Sequence, residues 1–373
     1  MIPRSPAWDR FFLPAMVVVI VFGAGILRVS AQETLPAAPP DEFLRGVVMA
    51  VLSQHAETVA GTTQLEQIVS VKLQGGTVVR AEYTDVVGSE RGRVLHAGDN
   101  VVVAKTQDLG QTTYYVTDRY RLPPLAIVAV LFFAMIVLLS RFKGLSSIIG
   151  LGITVAVLVK FIVPRILAGD NPLLVSVSGA LVIALVSIYL AHGFNRRTTI
   201  AVIATLITLG IAAGLAIAFV SFASLFGAGS EEAFYLQMGL QAVNLRGLLL
   251  GGIILGALGV LDDITTGQAA AVQEISLANP DLSPRELYRR GLSVGTEHIT
   301  ALVNTLFLAY AGASLPLFIL FTVNVDQPVW VTLNSEFVAE EIVRTLVGSS
   351  ALVLAVPITT LLAARLLRAR HSA

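Results

Sequence analysis

Eight runs of apolar residues punctuate the sequence, and their length decides what solvent the folded chain can tolerate. They cover 11–29, 122–139, 145–163, 172–191, 199–226, 247–261, 299–321 and 342–367. The hydrocarbon core of a bilayer is about 30 Å thick, and a helix crosses it in roughly 20 residues. Most of the runs reach or approach that length. A soluble chain that is 55% hydrophobic and 13% charged would have to turn apolar surface towards water. The expected fold class is therefore an all-α polytopic membrane bundle of about eight transmembrane helices, with the lipid bilayer as its first partner.

Charge placement orients the bundle, because Lys and Arg collect on the cytoplasmic side. With the N-terminus inside, that side holds Arg4, Arg10, Arg141, Lys143, Arg196, Arg197, Arg285, Arg289, Arg290, Arg365, Arg368 and Arg370. The short outer loops hold Arg165 and Arg246, with Arg344 near the last helix. Glu231, Glu232, Asp326, Glu336, Glu340 and Glu341 fall outside. Both termini are expected in the cytoplasm. Residues 1–30 are read as a membrane anchor. Val29, Ser30 and Ala31 before Gln32 also fit a signal-peptide cleavage site. Cleavage would leave seven helices in the same orientation.

Residues 31–121 differ in kind. After a Pro/Ala linker, apolar and polar residues alternate from Ile68 to Leu73, Gly75 and Gly76 supply a turn, and the pattern resumes from Val78 to Tyr83. Gly98 and Asp99 precede Val101, Val102 and Val103, and Tyr114, Tyr115 and Val116 follow another turn. Short strands at this spacing predict a small β-rich extracytoplasmic domain, a barrel or a sandwich. Residues 122–373 then form a seven-helix transmembrane domain with a cytoplasmic helical loop at 264–296.

Several chemistries are absent from the sequence. There is no cysteine, so disulfides, thiolate zinc sites and thiol nucleophiles are excluded together. No phosphate-binding glycine loop, dinucleotide fingerprint, HExxH spacing or Ser/His/Asp order is present. The net charge is zero, which gives no footing for nucleic acid. No enzyme activity, cofactor or metal is expected.

The polar residues that stand out lie between Arg246 and 321. Gly247 with Gly251, and Gly252 with Gly256, recur at the four-residue spacing that lets helix backbones approach. The sixth run is short, and a glycine-rich, interrupted helix ending in polar residues is one pointer to a transport site. Asp262 and Asp263 follow it. They fit as N-caps of a new helix over 265–277, as an interfacial pair, or as ligands of a proton or cation with Thr265, Thr266 and Gln268. On the seventh helix Glu297, Asn304 and Ala311 repeat at seven and share a face, with Thr300 beside Asn304. Ser283, Pro284 and Glu286 spell a capping box at the start of that helix region.

Three stretches carry a family likeness: 256–266 (GALGVLDDITT), 295–299 (GTEHI) and 304–317 (NTLFLAYAGASLPL). They resemble the YibE/F-like bacterial membrane proteins. The β-rich segment is similar too, with Gly98, Asp99 and Val101 leading through Tyr114, Tyr115 and Arg119 into the second helix. The resemblance spans 65–321 and implies a multi-pass protein of the bacterial plasma membrane. It brings no catalytic residues with it. Family patterns have one aspartate before the small and hydroxyl residues, so either Asp262 or Asp263 can match that position. The functional expectation is a secondary transporter or permease for a small solute or ion. The alternative is an accessory or scaffold protein whose outer β-domain binds an envelope or membrane partner.

Overall fold

The computed structural model describes residues 42–59, 62–87, 94–108, 111–239, 243–315, 319 and 328–367. The first apolar run, and with it the choice between anchor and signal, lies outside the described residues. Contacts divide the chain into two compact units, one running to Leu138 and the other beginning at Leu139.

Period-two alternation builds the first unit. Strands β1 (Glu42–Val59), β2 (Thr62–Leu73), β3 (Val78–Val87), β4 (Asn100–Asp108) and β5 (Gln111–Arg119) close into a barrel in the order β1-β2-β3-β5-β4. β1 pairs antiparallel with both β2 and β4, and β3 meets β5 in parallel. This is the strand order of the five-stranded OB barrel. The inward positions, Val48, Val69, Val71, Ala81, Leu95, Val101 and Val103, are sealed from solvent. Gly46 has no room for a side chain, since a Cβ there would collide with Val71.

The longest strand, β1, is the one the sequence does not announce. Its register shifts between Val48 and Ala50 and again between Val51 and Ser53, and such bulges scramble the alternation that reveals a strand. The turn at Gly98 does show in the sequence. Gly98 takes φ +97°, Asp99 accepts the His96 N–H at 2.9 Å, and Arg119 Nη2 reaches Asp99 at 3.3 Å and the Val94 carbonyl at 2.8 Å.

In the helical part, α1 (Leu122–Val157) contains Arg141 at φ 50°, ψ −128°, a conformation that L side chains rarely adopt. It divides the apolar spans Leu122–Arg141 and Gly144–Leu167. A π-helical turn, Leu158–Ile162, leads into α2 (Val163–Leu167). Asparagines start the next helices, as their side-chain oxygens accept free first-turn amides. Asn171 caps α3 (Pro172–His192), Asn195 caps α4 (Arg196–Phe222), and after the short α5 (Glu231–Gly239), Asn244 caps α6 (Leu245–Ala278). The expected capping box of Ser283 and Glu286 opens α7 (Pro284–Ala313). The Ser283 hydroxyl first, and its backbone amide second, hold the Glu286 carboxyl below the usual range. α8 (Val329–Leu333) and α9 (Glu336–Leu366) complete the order.

Six helical spans among the described residues are long and apolar enough to cross a membrane, against eight expected. The described part of the stretch expected as the seventh helix belongs to α7, and its residues 316–318 and 320–321 lie outside the described residues. One correction concerns α6. It runs 34 residues without a break, about 51 Å at 1.5 Å per residue. Asp262 and Asp263 therefore sit inside a helix and cap nothing. Residues 265–277 are the continuation of the sixth helix, not a separate one. The polar side chains do not stop it because Thr265 and Thr266 return their hydroxyls to the carbonyls of Leu261 and Asp262, at 2.8 and 2.9 Å.

Within the barrel, Gln67 is fully buried and its Oε1 accepts the Leu95 N–H at 2.8 Å. Gln67→Leu should orphan that amide and destabilise the barrel by about 1–3 kcal/mol. Faster hydrogen exchange at Leu95 in the full-length protein is the expected readout; unchanged protection there would contradict it.

Candidate functional site

Helix α6 packs against α3, α4, α7 and α9. Its glycines divide among these neighbours. A Cβ on Gly247 would lie 3.1 Å from Pro172, and one on Gly251 would collide with Ser176 Oγ, so these two admit α3. A Cβ on Gly252 would lie 3.7 Å from Arg344 Nη1 of α9, and one on Gly256 3.4 Å from the Tyr310 hydroxyl of α7. Arg344 itself lies 3.3 Å from Glu341.

One turn beyond the aspartates, α6 bears two polar residues with no exposure at all, Thr265 and Gln268. Thr265 Oγ1 is 2.7 Å from Thr205 Oγ1 on α4. Gln268 Nε2 donates to the Gly291 carbonyl at 2.8 Å and to Thr360 Oγ1 at 2.7 Å, and Thr360 donates to the Val356 carbonyl at 2.6 Å. This amide ties α6 to α7 and α9 together. Gly291 and Gly295 make the approach possible: an added Cβ on Gly291 would lie 2.8 Å from Val272, and one on Gly295 would collide with Val356.

The aspartates occupy different surroundings. Asp262 is half-buried, and its Oδ1 is enclosed without a hydrogen-bond partner. Asp263 is exposed and lines a cavity of about 190 Å³ with Thr266 and Gly267 of α6 and with His192, Arg197 and Thr198 from the α3–α4 junction. Glu297 and Asn304 are exposed on α7 and take no part in either place. The sixth and seventh helices of the sequence reading, α6 and α7, are in direct contact where Gln268 meets Gly291. The structure thus gathers Thr265 and Gln268 into the packed interior and Asp263 with Thr266 into an open cavity. Among the described residues no three His, Asp or Glu side chains are grouped to hold a metal ion.

Sequence reasoning missed Thr205, Thr360, His192, Arg197 and Thr198 as partners. Threonines inside apolar runs carry no signal of what they face, and Arg197 registered only as one cytoplasmic charge. Glu336 was likewise counted only as an outer charge. Its carboxylate accepts the backbone N–H groups of Phe226 at 2.6 Å, Gly227 at 2.9 Å and Ala228 at 3.3 Å, and Glu340 accepts that of Gly229 at 3.0 Å. The loop after α4 is thereby fastened to the first turns of α9.

The family model described as YibE/F-like protein matches residues 128–369 of the chain. No curated protein and no solved structure matches it.

Two glycine substitutions separate the packed seam from an open surface. Gly295→Val should lower stability by about 1–3 kcal/mol through overpacking against Val356 and Gln268. Gly259→Ala meets nothing within 4 Å and should raise it by roughly 0.5–1 kcal/mol. Thermal unfolding in detergent checks the pair, and equal shifts would contradict the seam.

Proposed function

The chain belongs to the YibE/F-like family, and from that premise we propose that it is a secondary transporter or permease for a small solute or ion. The carboxyl of Asp262 is the group that takes up a proton or cation during passage. One observation carries this reading: Asp262 lies within a membrane-length helix with one carboxylate oxygen enclosed and unpartnered. An ionisable group at such a place is costly to keep, and it marks an ion or proton pathway by default. Because α6 is continuous it offers no interrupted segment to a substrate, and the enclosed Asp262 carboxylate supports transport without one. Asp263, one residue on, opens to the cavity at the α3–α4 junction and supplies an entrance.

The placement that accompanies this reading is the bacterial plasma membrane, with both termini in the cytoplasm and the barrel outside. The distribution of Lys and Arg supports it. On that orientation the cavity bearing Asp263 faces the cytoplasm, and the Glu336 and Glu340 contacts close the outer ends of α4 and α9.

A second reading, an accessory or scaffold protein acting through its barrel, has its own support. β1 turns Phe43, Val47, Met49 and Leu52 outward, and Val78 of β3 is 59% exposed. Apolar side chains clustered on a barrel wall are surface for a partner.

Purified protein in vesicles loaded with a pH-sensitive or sodium-sensitive dye tests the transport reading. Imposed proton or sodium gradients should drive flux that collapses to that of empty vesicles in Asp262→Asn and in the Asp262→Asn/Asp263→Asn pair. Wild-type flux in both variants would remove the aspartates from the mechanism.

A further inference from the structure

The cavity at the α3–α4 junction carries charges of both signs. Arg197 stands in the first turn of α4, and Asp263 projects from α6. No ion pair joins them among the described residues. Thr198 lines the same cavity, is only 2% exposed, and has a hydroxyl with no hydrogen-bond partner. A buried hydroxyl is ordinarily bonded. The other threonine lining the cavity obeys that rule: Thr266, on α6, spends its hydroxyl on the Asp262 carbonyl. The Thr198 backbone amide is already taken by Asn195 Oδ1 at 2.9 Å, so its side chain is the free group.

A lone anion in this space would meet Arg197, the Thr198 hydroxyl and the positive end of the α4 dipole, but also the Asp263 carboxylate. A lone cation would meet Asp263, but also Arg197 and the same helix end. Only a ligand with both signs complements both walls. His192 stands at the rim with Nδ1 3.3 Å from the Ile188 carbonyl, which leaves Nε2 available. The volume, about 190 Å³, lies below the roughly 300–1,000 Å³ of drug-sized sites and suits a group of a few heavy atoms.

We propose that this cavity binds a small zwitterionic group. Its carboxylate or phosphate end sits on Arg197 and Thr198 at the start of α4, and its ammonium end on Asp263. A free solute of amino-acid size and the phosphoethanolamine headgroup of a lipid share this chemistry. The site does not depend on transport, because binding is read directly and holds or fails whatever the flux measurement returns.

The test uses full-length protein in detergent and isothermal titration with glycine and with glycerophosphoethanolamine. Half-ligands, acetate, glycerol phosphate and methylamine, serve as comparisons. At least one zwitterion should bind, and its halves should bind about tenfold more weakly, equivalent to about 1.4 kcal/mol. Asp263→Asn should abolish the preference of the zwitterion over its anionic half, and Arg197→Gln its preference over the cationic half. Unchanged thermal unfolding in both variants separates lost binding from lost fold. Native mass spectrometry from phosphatidylethanolamine and phosphatidylglycerol nanodiscs then assigns the source. Retained phosphatidylethanolamine, displaced by glycerophosphoethanolamine, identifies the headgroup; glycine binding with no lipid retention identifies a free solute. Halves that bind as well as the whole, variants that keep the preference, or no binding of either zwitterion or lipid would overturn the assignment.

Discussion

Gln268 is closed off from solvent on every side, so its amide can bond only to protein. An amide buried without partners costs a few kcal/mol, about 1–3 by mutational measures. Both hydrogens of Nε2 are placed, one on the Gly291 carbonyl and one on Thr360 Oγ1. That geometry exists only if the backbones of α7 and α9 come within reach of α6. Gly291 and Gly295 clear the way on α7, and on α9 the bond from Thr360 to Val356 aims the hydroxyl. Pro357, which removes the backbone bond to Val353, loosens the helix beside that hydroxyl without ending it. The seam of three helices is thus set by one side chain and two missing ones.

The remaining polar groups of the helical unit sort by whether the protein itself closes them. Thr205 with Thr265, Thr208 with the Ala204 carbonyl, and Thr360 with Val356 are closed, and they serve packing. Asp262 Oδ1, Thr198 Oγ1, Gln268 Oε1, Arg344 Nε and Thr359 Oγ1 are not. Native proteins leave few such atoms, and each calls for a reason. Two of them stand near one cavity: Thr198, in the first turn of α4, lines it, as does Asp263, the neighbour of Asp262 on α6.

Much of this is legible in the sequence. Apolar run length marks the helices from Leu122 onward, the alternation of β2 and β3 marks the barrel, and Ser283 with Glu286 marks the start of α7. What escaped did so for physical reasons. β1 hid behind two bulges. The continuity of α6 was masked because two aspartates and two threonines look like a helix end when their hydrogen bonds to the helix's own carbonyls are unknown. Glu297 and Asn304 share a helical face, as the seven-residue spacing requires, but that spacing says nothing of which face is buried. In the fold it is the glycines at 291 and 295 that turn inward.

The unbroken helix also narrows the chemistry. A broken helix offers an ion its free carbonyls and its dipole ends; a continuous one offers only side chains. On α6 the hydroxyls of Thr265 and Thr266 are committed to backbone carbonyls, and the Gln268 hydrogens to α7 and α9. The carboxylates of Asp262 and Asp263 and the carbonyl oxygen of Gln268 are what remains. Neighbouring residues on a helix diverge by about 100°, so Asp262 and Asp263 cannot face the same surroundings. One turns an oxygen into the protein interior and the other lines a cavity opposite an arginine. The adjacent pair is, in the fold, two groups with two environments.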